Sequence, residues 1–152
     1  MYFNFESDFV DPGIKCIPMI VRFKLDACGI KLKLAEWSRM TIAEREHFSN
    51  APCTSPEEVN KFRKDLQQLV LDRTGDHANE ITVEQDPLWS RTDMIPDSVS
   101  NMFAEQGISV MLNEWQQLDD LKRFALLKLS RPGHENKNFM KAVAEFGLLK
   151  PA

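Results

Sequence analysis

Apolar positions recur at helical spacing along most of the chain. Between Ser55 and Gly75, the residues Val59, Phe62, Leu66, Leu69 and Val70 fall on one face of a helix. Its start is written in Ser55-Pro56-Glu57-Glu58: a capping hydroxyl, a proline at the first helical position and a glutamate three residues past the cap. Gly75 is its stop. Thr41 with Glu44 makes a second capping box, for a helix reaching about Asn50 before Pro52. Residues 96–107 open on Pro96, carry Val99, Met102 and Phe103 on one side, and end at Gly107, which predicts a helix with both terminators. Residues 18–28 carry two patterns. Val21-Arg22-Phe23-Lys24-Leu25-Asp26 alternates as a strand does, and Lys31-Leu32-Lys33-Leu34 continues the alternation past Gly29.

An internal repeat decides between them. Ile17-Pro18, Val21, Gly29-Ile30, Leu34-x-Glu36-Trp37 and Arg45 return as Ile95-Pro96, Val99, Gly107-Ile108, Leu112-x-Glu114-Trp115 and Arg123, always 78 residues on (107 − 29, 115 − 37, 123 − 45). At that offset 14 of 74 aligned positions are identical, where ordinary composition gives roughly 4–5. A period of half the chain means duplication, not a solenoid. Roughly 75 residues per half is little for a separate core, so the expectation is one domain over 1–152, built of repeats 1–78 and 79–152 around a shared pseudo-twofold core. The helix at 96–107 then makes 18–28 a helix too, with Val21, Leu25 and Cys28 inward. Each Gly-Ile leads into a short helix bearing Leu-x-Glu-Trp. In the second half Asp119 and Asp120 open a helix through Leu121, Phe124, Leu127 and Leu129, and a last helix runs from about His134 to Phe146. Residues 2–6 and 80–84 alternate, and are expected to pair as a short two-stranded β-ribbon. Asp72–Asn79 is polar and links the halves. The fold class is mainly α.

Composition narrows the function classes. The 152 residues are 43% hydrophobic and 28% charged, enough for a real core. No apolar run approaches a bilayer span, and the N-terminus has no basic-then-apolar signal, so the expected location is the cytoplasm, with no membrane partner. A net charge of −4 argues against nucleic acid. Three widely spaced cysteines read as reduced thiols.

Catalytic and metal signatures are missing from the sequence. Cys16, Cys28, Cys53, His47, His77 and His134 form no CxxC or HxxxH pair, so neither a metal nor a cofactor is expected. Glu44-x-x-His47 matches half of a di-iron carboxylate motif, but Lys122 and Ala125 stand at the repeat positions. No serine sits in a nucleophile elbow and no glycine loop cradles phosphate, so no residue is assigned as catalytic and the protein is not expected to be an enzyme. Trp37 and Trp115 are matched and read as anchors of their short helices. Trp89 has no aromatic counterpart and is the docking candidate among the three. The sharpest local feature is charge: Lys15, Arg22, Lys24, Lys31 and Lys33 crowd one stretch, where the second half has Asp93, Ser100, Met102, Ser109 and Met111. This asymmetry points to an anion- or acidic-partner patch on the first half. On that reading, reversing Arg22, Lys24 and Lys31 leaves the fold intact.

The run Phe5-Glu6-x-Asp8-Phe9, Cys16-Ile17-Pro18-Met19, Val21-Arg22-Phe23-Lys24-Leu25-Asp26, Gly29-Ile30-Lys31-Leu32 and Trp37 resembles the nitrate reductase-associated proteins of cyanobacteria and some proteobacteria. The resemblance spans nearly the whole chain. It implies a soluble cytoplasmic accessory protein of nitrate assimilation, needed to obtain active assimilatory nitrate reductase and binding that enzyme or its molybdenum-cofactor maturation machinery. It brings no catalytic residue with it. The basic stretch would then meet an acidic partner surface or the phosphates of the molybdopterin cofactor. The alternative is a small-molecule, pterin or metal carrier with a pocket between the halves, using Cys16, Cys28 or His47.

Overall fold

The computed structural model describes residues 1–132 and 136–149. It is mainly helical and divides into two compact units, Met1–Glu84 and Gln85–Ala152. In the first unit the order is α1 (Ser7–Val10), α2 (Met19–Cys28), β1 (Ile30–Lys31), α3 (Leu34–Ser38), α4 (Ile42–Asn50), α5 (Pro56–Thr74) and β2 (Asn79–Glu80). The second unit has α6 (Asp97–Glu105), α7 (Leu112–Gln117), α8 (Asp120–Ser130) and α9 (Asn136–Glu145), with a 3₁₀ turn at Leu88–Ser90 ahead of them. The starts of α2, α3 and α4 at 19, 34 and 42 recur in α6, α7 and α8 at 97, 112 and 120. The expected beginning of the last helix at His134 lies outside the described residues. No helix among the described residues is long and apolar enough to cross a membrane.

The first unit closes around α2 and α5. Val21, Leu25 and Cys28 of α2 meet Phe62, Leu66 and Val70 of α5, and Ile14, Trp37, Met40 and Phe48 complete the cluster. The Phe48 and Phe62 rings meet edge to face at 5.4 Å. Each such side chain taken fully from water contributes about 1.5–3 kcal/mol. In the second unit α8 is the central helix. Arg123 to Leu127 are all buried, as suits a helix covered on several sides. Phe103 of α6 packs on Phe139 of α9 at 5.4 Å.

Helix ends follow the written signals. Thr41 accepts from the Glu44 amide at 3.1 Å while Glu44 returns a bond to the Thr41 amide at 2.8 Å. Ser55 and Glu58 do the same for α5. Residues 18–28 form a helix, as the repeat argued, and the strand-like alternation is an accident of α2 having Lys24 among its buried positions.

The ribbon exists, with other partners. Ile30 pairs with Glu80 and Lys31 with Asn79, antiparallel. Residues 4–6 are instead a 3₁₀ turn running into α1. The reason is Glu6, which is buried. Its carboxylate accepts from the Phe3 amide at 3.1 Å and from the Met19 amide at 2.8 Å. It thereby caps α2, whose own cap residue Pro18 has no side-chain donor or acceptor to offer. Five alternating residues cannot register a partner that lies 13 positions away.

The segment beyond α5 also belongs to the first unit. Gln67 donates to the Ala78 carbonyl at 2.9 Å and accepts from the Ala78 amide at 2.8 Å. The Ile81 amide bonds the Gly29 carbonyl at 2.9 Å. The unit boundary therefore falls after Glu84, six residues past the repeat boundary (84 − 78).

Gly29 has two reasons to be glycine. Its φ is +76°, and an added Cβ would stand 2.8 Å from the Ile81 carbonyl oxygen and 3.1 Å from Val83. Gly107 has φ +68° with nothing within 4 Å of that Cβ. Gly107→Ala should cost about 1–2 kcal/mol for the left-handed backbone alone. Gly29→Ala should cost about 1–3 kcal/mol more, because a backbone carbonyl must give way. Urea denaturation of the two variants tests this, and equal losses would refute the close approach.

Candidate functional site

The five basic residues of the first half do not share a face. Lys15, Lys31 and Lys33 are exposed, Arg22 is half-buried and Lys24 is buried. The Arg22 Nε donates to the Ile17 carbonyl at 3.0 Å, across the start of α2. Lys24 faces inward. Its Nζ donates to the carbonyls of Phe48 at 3.2 Å and Ser49 at 2.7 Å, and lies 5.9 Å from the centre of the Phe62 ring. These carbonyls lie in the last turn of α4, buried and beyond the helix's own N–H groups, where the helix dipole also favours a cation. Burial holds the ammonium below the ordinary lysine value of 10.5, with the Cys53 thiol partly opposing that shift. Reversing Lys24 would set a carboxylate against two carbonyls, so the expectation that the fold tolerates it is corrected.

Trp89 is half-buried in the 3₁₀ turn ahead of α6. Its ring meets Phe124 edge to face at 6.3 Å, and its carbonyl accepts from Arg123 Nε at 2.8 Å. Trp37 and Trp115 are fully buried. Their indole N–H groups donate to the carbonyls of Ile14 at 2.8 Å and Arg91 at 3.0 Å.

Cys28 is buried, Cys16 and Cys53 are half-buried, and His47 is exposed. Burial pushes the Cys28 thiol up to about 12 and raises that of Cys53 as well. Among the described residues, no three His, Cys, Asp or Glu side chains gather as metal ligands.

What the structure does bring together is a trough along α5. Asn60, Arg63, Lys64 and Gln67 stand three or four residues apart and so form one stripe of the helix. The segment 77–83 runs beside it, held by the Gln67–Ala78 pair and by Gly29. Between them lies a cavity of about 660 Å³ lined by Arg63, Lys64, Gln67, His77 and Glu80. A second of about 400 Å³, lined by Cys28, Pro56, Val59 and Val83, adjoins it, and Asn60 and Arg63 line both. The first end carries Lys64 and Glu80 beside Arg63, and the second is lined mainly by Ala27, Cys28, Pro56, Val59 and Val83. Arg63 forms an ion pair with Glu80. Both side chains are about half-exposed, which limits the pair to about 0–1 kcal/mol.

A third cavity, of about 640 Å³, lies on the other side of His77 and is lined by Lys33, Glu36, Arg39, Asp76 and Asn79. Lys33 is the one member of the basic stretch that lines any of these three cavities. Sequence reasoning missed Arg39, Arg63 and Lys64, and weighed His77 only as a metal ligand. For Arg63 and Lys64 the available signal was the polar stripe of α5, which flanks the apolar stripe that identified the helix.

A family model described as conserved nitrate reductase-associated protein matches residues 2–146. The chain belongs to that family. No curated protein and no solved structure matches it. The match takes in both units almost entirely, including α5, the ribbon and every member of the basic stretch.

Two outcomes are expected for the buried groups of this nitrate reductase-associated family member. Lys24→Met should cost about 1–3 kcal/mol, because the Phe48 and Ser49 carbonyls lose their donor. Since burial lowers the folded-state pKa of Lys24, the unfolded chain binds that proton more tightly. Wild-type stability relative to Lys24→Met should therefore rise with pH as 10.5 is approached from below. A flat or falling difference in paired denaturation curves would contradict the buried ammonium. Native Cys28 is buried, and burial pushes its thiol up to about 12, so very little thiolate is present at neutral pH. It should stay unlabelled by an aromatic disulfide reagent until the protein is unfolded, read by peptide mass mapping.

Proposed function

We propose that this protein is a non-catalytic accessory factor of nitrate reductase, working in the cytoplasm in nitrate assimilation. It acts by binding the reductase or the machinery that installs its molybdenum cofactor. The single observation that carries the reading is the family match over residues 2–146. The side chains with the most chemistry support it by being used in the fold. Glu6 caps α2, Lys24 caps α4, Arg45 and Arg123 hold loop carbonyls, and the Cys28 thiol is pushed up to about 12. Basic side chains at the surface remain for recognition: Lys15, Lys31 and Lys33 from the basic stretch, and Arg39, Lys64 and the half-exposed Arg63 around the ribbon. The common order and offset of helices in the two units support their descent from one duplicated half.

The test is co-expression of tagged protein with nitrate reductase and its cofactor pathway, followed by capture on the tag. The wild type should retain the reductase at physiological salt. A variant carrying Lys15→Glu, Lys31→Glu and Lys33→Glu should keep its circular dichroism and thermal midpoint while losing at least ten-fold of the captured reductase. Lys24 and Arg22 are left unchanged, since both bond backbone carbonyls. Wild-type protein that comes off the column alone would defeat the accessory reading.

A further inference from the structure

We propose that the α5 trough is the docking site for an extended segment of a partner protein in which a carboxylate neighbours an apolar side chain. The inference rests on the partner-binding reading above and names the surface and the chemistry of the segment. The basic side chains gather toward one end of the trough. Arg63, Lys64 and His77 line one end, Val59 and Val83 line the other, and Arg63 stands at the junction. That order matches a carboxylate followed by an apolar residue.

Arg63 shows which group it recognises, because it already holds one. Glu80, from the opposite wall, is paired with it. The pair is half-exposed, so an incoming carboxylate can take the place of Glu80 at little cost while Lys64 adds to the attraction. Glu80 is thus a stand-in carried by the chain itself. The fork of a guanidinium suits such an exchange, since it offers several donors in a fixed plane.

Shape selects a polypeptide over a small ligand. Small-molecule sites enclose most of their ligand, whereas both cavities lie open to solvent between α5 and the 77–83 segment. The lined part of α5 runs from Pro56 to Gln67, which is about 17 Å of helix. An extended segment of about five residues has that length. The far wall is fixed in place by the Gln67–Ala78 bonds and by the absence of a Cβ at Gly29, so the trough is formed before any partner arrives.

The experiment uses the full chain and a synthetic five-residue peptide alternating leucine and aspartate, capped at both ends. The control is the same peptide with lysine in place of aspartate. In an NMR titration the acidic peptide should shift amides within 59–67 and 77–83 saturably, and the lysine peptide should not. Arg63→Glu should weaken binding at least ten-fold, and Glu80→Gln should tighten it several-fold by freeing Arg63. Both variants break the same ion pair, so a purely structural role would move them together, and that result overturns the proposal. So does the absence of saturable shifts, or equal shifts from the lysine peptide. The capture experiment separates the two readings. Reductase retained equally by wild type and Arg63→Glu removes the trough and leaves the accessory role. Acidic peptide bound in the trough with no reductase captured removes the reductase as partner and leaves the trough.

Discussion

Each unit hangs on a buried tryptophan and an arginine that together hold a loop by its carbonyls. Helices α3 and α7 have only five and six residues, too few to persist on their own hydrogen bonds. Trp37 and Trp115 fix them by full burial and by an indole N–H bonded to a loop carbonyl. The next helix supplies the second hold. Arg45 donates to the Gly13 carbonyl at 2.7 Å, to Trp37 at 3.2 Å and to Ser38 at 3.1 Å. Arg123 reaches the carbonyls of Trp89 and Leu118 and the carboxylate of Asp120. Only a guanidinium presents that many donors in a rigid plane. The first loop needs the constraint. Ile14, a β-branched residue, sits at φ +50°, a conformation costing on the order of 1–3 kcal/mol. Its buried side chain, the Trp37 bond on its carbonyl and the Arg45 bond on the residue before it hold it there.

Equivalent positions in the two units meet different physical demands. Lys24 and Met102 occupy the same place in α2 and α6, and both are buried. The lysine amine serves the end of α4, whereas α8 continues to Ser130, two residues past the point matching Asn50 (50 + 78 = 128). Glu6 is buried and caps α2, while Glu84 is exposed. Gly29 accommodates a neighbouring backbone and Gly107 does not. An amine buried against carbonyls is costly to desolvate, as its lowered pKa reflects, and it is retained because those acceptors would otherwise be buried without a donor.

A trough forms where the polar stripe of α5 meets a segment that returns after Gly75. A scan for charge along the chain fixes on Lys15–Lys33, since those residues are adjacent in sequence. In three dimensions that run is dispersed: one amine is internal, one guanidinium is tied to a carbonyl, and Lys33 faces a cavity shared with residues 74–79. Arg63 and Lys64 look unremarkable in sequence because acidic and polar neighbours surround them. They stand out only when His77 and Glu80 are placed opposite.

The residues themselves determined the helices. Caps such as Thr41–Glu44 and Ser55–Glu58, the stops at Gly75 and Gly107, and the apolar stripe of α5 act within one or two turns, so they are legible in a linear string. The matching pattern at 96–107, with its proline start and glycine stop, resolved 18–28. Tertiary structure alone decided that Glu6 turns residues 4–6 into a 3₁₀ turn, that Lys24 is a buried cap, and that Asn79–Glu80 pairs with Ile30–Lys31. It also decided that α5 and the segment 77–83 enclose a trough. Each of these depends on a polar group finding its partner far along the chain. Burial makes such a partner obligatory, and local pattern does not reveal which one it is.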